Sequence, residues 1–221
     1  MPDALPNLDV TDSANDVAPV TRKRPKPGER RVQILQALAE MLEQPGADRI
    51  TTAALAARLS VSEAALYRHF ASKAQMFEGL IEFIEQSVFT LVNQITERPA
   101  VDATDAAEPG KRQAAQIVAM VLQFAEKNPG MTRVMVGDAL VFENVRLQQR
   151  MNQFFDKIEA SLRQTLRPSV DEPNSDTPSF DAVVMASAAT AFVVGRLHRF
   201  ARSGFKRLPS EHLDASLALI L

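Results

Sequence analysis

From residue 29 onward, apolar residues recur at helical spacing along most of the chain, and this periodicity constrains the fold more than any other feature. The clearest segment runs from Met76 to Ile95, where apolar residues return every three or four positions. No segment of any length alternates apolar and polar residues as a half-buried strand would. The sequence therefore predicts an all-α fold.

Capping residues, prolines and glycines divide this pattern into nine predicted helices. They are residues 29–44, a short helix capped by Thr51 or Thr52, residues 63–69, a long helix capped by Ser72 and stopped at Pro99, residues 111–127, 131–137, 138–166 and 181–202, and a last helix after Pro209 that reaches the chain end. In the first helix, the residues predicted to face the core are Val32, Ile34, Leu35, Leu38, Met41 and Leu42.

Composition disfavours several classes of function. The sequence has no cysteine, which excludes disulfides, a thiol nucleophile and cysteine metal sites. The three histidines, His69, His198 and His212, are too far apart in sequence for a local metal site. We identify no catalytic residues and expect no cofactor and no enzyme activity. Without a signal peptide or a run of about 18 apolar residues, we expect a cytoplasmic protein with no membrane span.

Positive charge is concentrated in one quarter of the chain. Residues 21–75 contain ten Lys or Arg against five Asp or Glu, whereas residues 1–20 contain four acids and no base. This asymmetry predicts an anionic partner for the basic quarter. Residues 1–28 are predicted to be a flexible arm, whose basic end is either a solvated charge run or a source of phosphate contacts.

The second and third predicted helices have the lengths and the short turn of a helix-turn-helix motif. In such a motif the second helix enters the DNA major groove, and its first residues meet base edges. Ser62, Glu63, Ala64 and Ala65 open that helix here. The small side chains allow close approach, and alanine methyl groups can contact thymine methyl groups.

Tyr67, Arg68 and His69 follow on the same helix, away from its predicted core stripe. Their hydroxyl, guanidinium and imidazole groups suit phosphate oxygens. Each also has a structural interpretation: the tyrosine as half-buried packing, the arginine as a solvated charge and the histidine as a structural residue.

Lys73 lies in the first turn of the fourth helix, where a cation is unfavourable for the helix dipole. A DNA phosphate at that position would offset the cost, because the exposed amides and the ammonium group would both meet an anion. Leu66 and Phe70 are four residues apart and are predicted to face the core.

The segment ITTAALAARLSVSEAALYRHFASKAQMF, residues 50–77, resembles the DNA-binding head of the TetR-like regulators. That head has a threonine-led helix, a turn, a short helix ending in Tyr-x-His-Phe, and then a lysine. The resemblance implies that Thr51 and Thr52 join the residues named above at the DNA interface. Ser60 stands where the family often has glycine, and a left-handed backbone there would cost about 1 kcal/mol or more.

Three body segments, residues 80–95, 124–167 and 195–215, resemble the branch of this family that acts in nucleoid occlusion. The resemblance implies a protein that binds double-stranded DNA as a homodimer at near-palindromic sites. It also implies that the DNA-bound protein antagonises assembly of FtsZ, the tubulin-like division protein, and so blocks septum formation over the nucleoid. We expect three parts: the arm (1–28), a helix-turn-helix domain (29–74) and a helical dimerisation and partner-binding domain (75–221).

The resemblance places the FtsZ-binding surface around the fourth and fifth helices, at Phe83, Lys127 and Asn128. Considered alone, Phe83 is either core packing or an exposed aromatic anchor, and Lys127 and Asn128 are either a helix stop or contacts for an acidic and apolar tail. Leu91 replaces an arginine expected in this branch, and Gln123 replaces a small residue.

The helix at residues 181–202 is rich in small residues that permit close helix packing. Its apolar side contains Val184, Ala188, Ala191, Phe192 and Gly195. The resemblance implies a dimer through the last two helices, with recognition helices about 34–36 Å apart, whereas the residues alone also allow an ordinary intrachain core. An alternative function is a TetR-type repressor gated by a small molecule.

Overall fold

The computed structural model describes residues 28–44, 50–97, 108–170 and 178–221, and all regular structure within these ranges is helical. The helices are α1 (Glu29–Glu43), α2 (Thr52–Arg58), α3 (Glu63–Tyr67), α4 (Lys73–Thr96), α5 (Glu108–Lys127), α6 (Pro129–Met135), a 3-10 turn (Asp138–Leu140), α7 (Val145–Val170), α8 (Pro178–Arg202) and α9 (Leu213–Leu217). The all-α prediction is confirmed. The predicted arm, apart from Gly28, and the predicted stop at Pro99 lie outside the described residues.

The prediction of one helix over residues 138–166 is wrong. The 3-10 turn follows Gly137, whose φ of 84° is left-handed, and residues 141–144 separate it from α7. The side-chain oxygen of Asn144 accepts the backbone N–H of Arg146 at 3.0 Å and so satisfies a donor at the start of α7. This local cap starts a new helix where the apolar pattern alone suggested continuity.

Three predicted helices begin earlier than expected, each with a proline in its first turn. The predicted starts at residues 111, 131 and 181 leave out Pro109, Pro129 and Pro178, but these prolines lie at the starts of α5, α6 and α8. Proline is tolerated there because its missing N–H would have no intrahelical acceptor. The last helix is shorter than predicted, since α9 ends at Leu217.

Helices α1, α2 and α3 form a small head around a shared apolar core. Leu66 and Phe70 are each 1% exposed, as predicted. Val32 is 61% exposed, so its assignment to the core is wrong. In the turn between α2 and α3, Ser60 has φ 53°, which confirms the left-handed backbone expected at this position.

Helices α4, α5, α7 and α8 form the body. The ring of buried Phe154 packs edge-on against Phe89 with centroids 5.6 Å apart. Arg150 on α7 donates to the Glu85 carboxylate on α4 at 2.6 Å, and this hydrogen bond raises the pKa of Arg150 above its ordinary value. Within the described ranges, no helix is long and apolar enough to cross a membrane.

The head and the body meet where α6 begins. A Cβ built on Gly130 would lie 1.9 Å from the carbonyl oxygen of Ala39 on α1 and 3.1 Å from the Glu43 side chain. The two backbones are therefore in direct contact, and only glycine allows this approach. This contact fixes the position of α1 relative to the body.

Replacing Gly130 with alanine should lower the free energy of unfolding by about 1–3 kcal/mol, because the added methyl group overpacks a backbone contact that cannot yield as a side chain would. Chemical denaturation followed by circular dichroism measures this change. An unchanged midpoint and slope would contradict the close approach of α1 and α6.

Candidate nucleic-acid interface and partner groove

The starts of α2 and α3 are fixed by side-chain hydrogen bonds. Thr51 and Ser62 are the N-caps, and each side-chain oxygen accepts the backbone N–H three residues further on, at 3.1 and 3.3 Å. The Thr52 hydroxyl donates to the Glu63 carboxylate at 2.6 Å. This last bond joins the two helix starts.

The residues predicted to contact DNA lie together on the outer surface of α3. Ser62, Glu63, Ala64, Tyr67, Arg68 and His69 are exposed, and Ala65 is partly exposed. Tyr67 is 45% exposed, so a large part of its side chain is accessible while Leu66 beside it is buried. The arrangement offers methyl groups and a carboxylate at the start of α3, and a phenol, a guanidinium and an imidazole at its end.

Arg31 is a further component of this surface that sequence reasoning missed. Its guanidinium lies 4.2 Å from the centre of the Phe70 ring and donates to the carbonyl oxygen of His69 at 3.0 Å. Arg31 therefore attaches α1 to the end of the recognition helix. The contact joins residues that are 38 positions apart. The only sequence signal for a role of Arg31 was therefore its position within the basic residues 21–75.

Lys73 lies at the start of α4, directly after this surface, and its ammonium group pairs with the Glu143 carboxylate. The sequence predicted that Lys73 would meet a DNA phosphate, and it gave no sign of the ion pair with Glu143. Ser72 caps α4 as predicted, accepting the N–H of Gln75 at 3.1 Å. The side-chain oxygen of Gln75 accepts the backbone N–H of Ala71, one residue before the cap, at 2.8 Å.

A groove of about 330 Å³ lies at the junction of head and body. Its lining residues are Val32, Leu35, Gln36, Ala39, Glu40, Glu43, Leu80, Phe83, Asn128 and Met131. Phe83 is 46% exposed, so the interpretation of this residue as core packing is wrong. Sequence reasoning missed the contribution of α1, because it assigned Val32 to the core.

The groove has an apolar floor and a polar end. Asn128 lines it and donates to the Phe124 carbonyl at 2.7 Å, which leaves the amide oxygen to meet an occupant. Lys127 is exposed next to Asn128 but is not part of the lining. Glu40 pairs with Arg58 at 2.5 Å, and Glu43 adds a second carboxylate.

One face of α8 is covered by the body and another is open. Val184, Ala188, Ala191 and Gly195, spaced as one helical stripe, are exposed. A Cβ built on Gly195 would meet no atom of the described residues within 4 Å. The open stripe therefore presents small apolar side chains.

Comparisons with known proteins define the class. Residues 34–80 match the family described as bacterial regulatory proteins, tetR family, and residues 112–221 match the SlmA-like form of the tetracyclin repressor-like C-terminal domain. FadR from Bacillus halodurans superposes with a TM-score of 0.68 at 14% identity, covering 89% of this chain and 97% of FadR. PfmR from Thermus thermophilus gives 0.63 at 21% identity, covering 86% and 97%. The chain therefore has the TetR fold and a TetR-type DNA-binding domain.

Curated relatives narrow this class. The nucleoid occlusion factor SlmA of Vibrio cholerae is 49% identical over 192 residues, which cover 86% of this chain and 93% of the relative. The SlmA protein of Photobacterium profundum is 50% identical over 186 residues, covering 84% and 90%. The chain belongs to the SlmA family of nucleoid occlusion factors. The resemblance to this branch of the TetR-like family is thereby confirmed.

Replacing Tyr67 with phenylalanine should weaken DNA binding by about 3- to 10-fold, because it removes one hydroxyl hydrogen bond and keeps the ring. Fluorescence anisotropy with a duplex selected from random sequence measures the affinity, and a thermal melt checks that the fold is unchanged. Equal affinity of the two proteins would mean that the hydroxyl makes no productive contact with DNA.

Proposed function

We propose that this chain binds chromosomal DNA as a homodimer and, when DNA-bound, antagonises FtsZ assembly and so blocks septum formation over the nucleoid. The observation that carries this proposal is the groove at the head–body junction, which is lined by α1 of the DNA-binding head and by α4 and the start of α6. A partner seated there contacts the same helix that attaches to the recognition helix through Arg31.

On DNA, Ser62, Glu63, Ala64 and Ala65 face base edges in the major groove. The groups at the end of α3 and at the start of α4 contact phosphates: these are Tyr67, Arg68, His69 and Lys73. Thr51 and Thr52 lie at the start of α2, which crosses the backbone in this motif. The hydrogen bond from Thr52 to Glu63 supports this arrangement, because it joins the starts of α2 and α3.

In the groove, Phe83 is the aromatic anchor for a short FtsZ segment. An exposed aromatic side chain on an apolar floor is typical of residues that dominate binding energy in small interfaces. Asn128 offers an acceptor to the backbone of that segment, and Lys127 offers a cation at the rim. Glu43 favours a hydrogen-bond donor or a cation on the same segment.

DNA dependence follows from the shared helix. Arg31 holds the end of α3, and one and two helical turns further along α1, Leu35 and Ala39 line the groove. DNA contacts made by α3 therefore act on this wall of the groove through one continuous helix. A ligand-gated repressor, by contrast, would leave FtsZ assembly unchanged whether or not DNA is bound.

Replacing Phe83 with alanine should reduce binding of FtsZ by about 30-fold, the loss expected for an anchor worth about 2 kcal/mol. Sedimentation of FtsZ polymers formed with GTP, in the presence of the selected or a scrambled duplex, measures this loss of binding as a loss of inhibition of FtsZ assembly. The wild-type protein should lower the pelleted polymer with the selected duplex more than with the scrambled one.

Phe142→Ala is the matched control, since Phe142 is also an exposed phenylalanine but lies outside the groove. This variant should inhibit like the wild type, and both variants should keep wild-type DNA affinity. Full inhibition by the Phe83 variant would exclude the groove as the FtsZ site.

The homodimer is built from the open stripe of α8 together with α9. Small residues permit two α8 helices to approach closely, and Leu219 beyond α9 is exposed and adds apolar area. A two-fold axis through this face presents two recognition helices to successive major grooves about 34 Å apart. Such a protein occupies the nucleoid in the cytoplasm.

Replacing Ala191 with glutamate should convert the dimer to a monomer, because it buries a charge in a close helix contact. Light scattering after size-exclusion chromatography measures the mass. Ala160→Glu on the exposed face of α7 is the matched control and should remain dimeric. A dimeric Ala191 variant would exclude this face as the interface.

A further inference from the structure

The pair formed by Lys73 and Glu143 connects the DNA-binding surface to a distant part of the chain. The two residues are 70 positions apart, and Glu143 belongs to the segment between the 3-10 turn and α7. The lysine side chain is 28% exposed and the glutamate side chain 11% exposed. Part of the lysine side chain is therefore accessible from outside, whereas the glutamate side chain is largely enclosed.

We propose that Glu143 is an internal competitor of DNA phosphate for the Lys73 ammonium group, so that DNA binding breaks this pair and releases residues 141–144 from α4. The inference rests on the proposed placement of Lys73 at a phosphate. It gives Glu143 the role of a residue that sets DNA affinity without touching DNA.

Electrostatics favours competition over sharing. A phosphate that approaches the Lys73 ammonium group also comes close to the Glu143 carboxylate, and two negative charges at such a distance repel each other even in a water-like medium. The partner of the Glu143 carboxylate is the Lys73 ammonium group, which a phosphate would also need. The two anions therefore compete for one cation.

Contacts on either side of Glu143 limit how much of the chain is released with residues 141–144. Leu140 and Leu147 are buried and anchor the chain before and after this segment. The bond from Arg150 to Glu85 holds α7 on α4 independently. The Glu143 N–H donates to the Leu140 carbonyl at 3.0 Å, so the release is confined to the short stretch that carries the exposed side chains of Val141 and Phe142.

Replacing Glu143 with glutamine tests this competition in the full-length protein with the selected duplex. DNA affinity should rise about 3- to 10-fold, because the phosphate no longer displaces a charged partner. The plot of log affinity against log salt concentration should keep the wild-type slope, because Lys73 neutralises the same DNA phosphate in both complexes.

Glu85→Gln is the matched control. It removes the same charge and breaks a second ion pair of α4, the one with Arg150 of α7, but leaves Lys73 untouched. Its DNA affinity and salt slope should equal those of the wild type. An equal gain in both variants would overturn the inference, because it would reflect net charge alone.

Lys73→Gln separates this inference from the placement on which it rests. The variant should bind DNA more weakly, and adding Glu143→Gln to it should have no further effect on affinity. Wild-type affinity of the Lys73 variant would overturn both the phosphate contact and the competition. A weaker Lys73 variant combined with an unchanged or weaker Glu143 variant would overturn the competition alone, since the pair would then only position the lysine.

Discussion

The direct contact between α1 and the start of α6 is the constraint on which the remaining structure depends. Because Gly130 has no side chain, its backbone meets the Ala39 carbonyl without a spacer. The DNA-binding head is thereby fixed on the body by two rigid elements in contact and not by a linker. The groove lies beside this contact, since Ala39 is one of its lining residues.

Helix α1 has three roles on three faces. Ile34 and Leu38 pack in the core. The face that includes Val32 lines the groove, and the Arg31 side chain donates a hydrogen bond at the end of α3. A single helix thus links the end of α3 with the groove. The pair of Lys73 and Glu143 is a second link, which joins the start of α4 to the segment before α7.

The head was largely predictable because its information is local. Caps at Ser62 and Ser72 and the four-residue spacing of Leu66 and Phe70 each depend on neighbours within one helical turn. The body was harder, since prolines in the first turn of a helix look like loop residues and the end of a 3-10 turn has no strong apolar signal. Phe83 could not be assigned, because exposure depends on which helices pack beside it.

The sequence by itself determined the all-α class, the helix-turn-helix and the likeness to a branch of one family, because short-range spacing and residue identity carry that information. Tertiary structure alone decided that Val32 is exposed, that Arg31 attaches to the recognition helix, and that Lys73 has an acidic partner. The Arg31 contact joins residues that are 38 positions apart, and the Lys73 contact joins residues that are 70 positions apart. The exposure of Val32 depends on packing between helices. No periodicity along the chain encodes such distances, which exist only once the helices have packed.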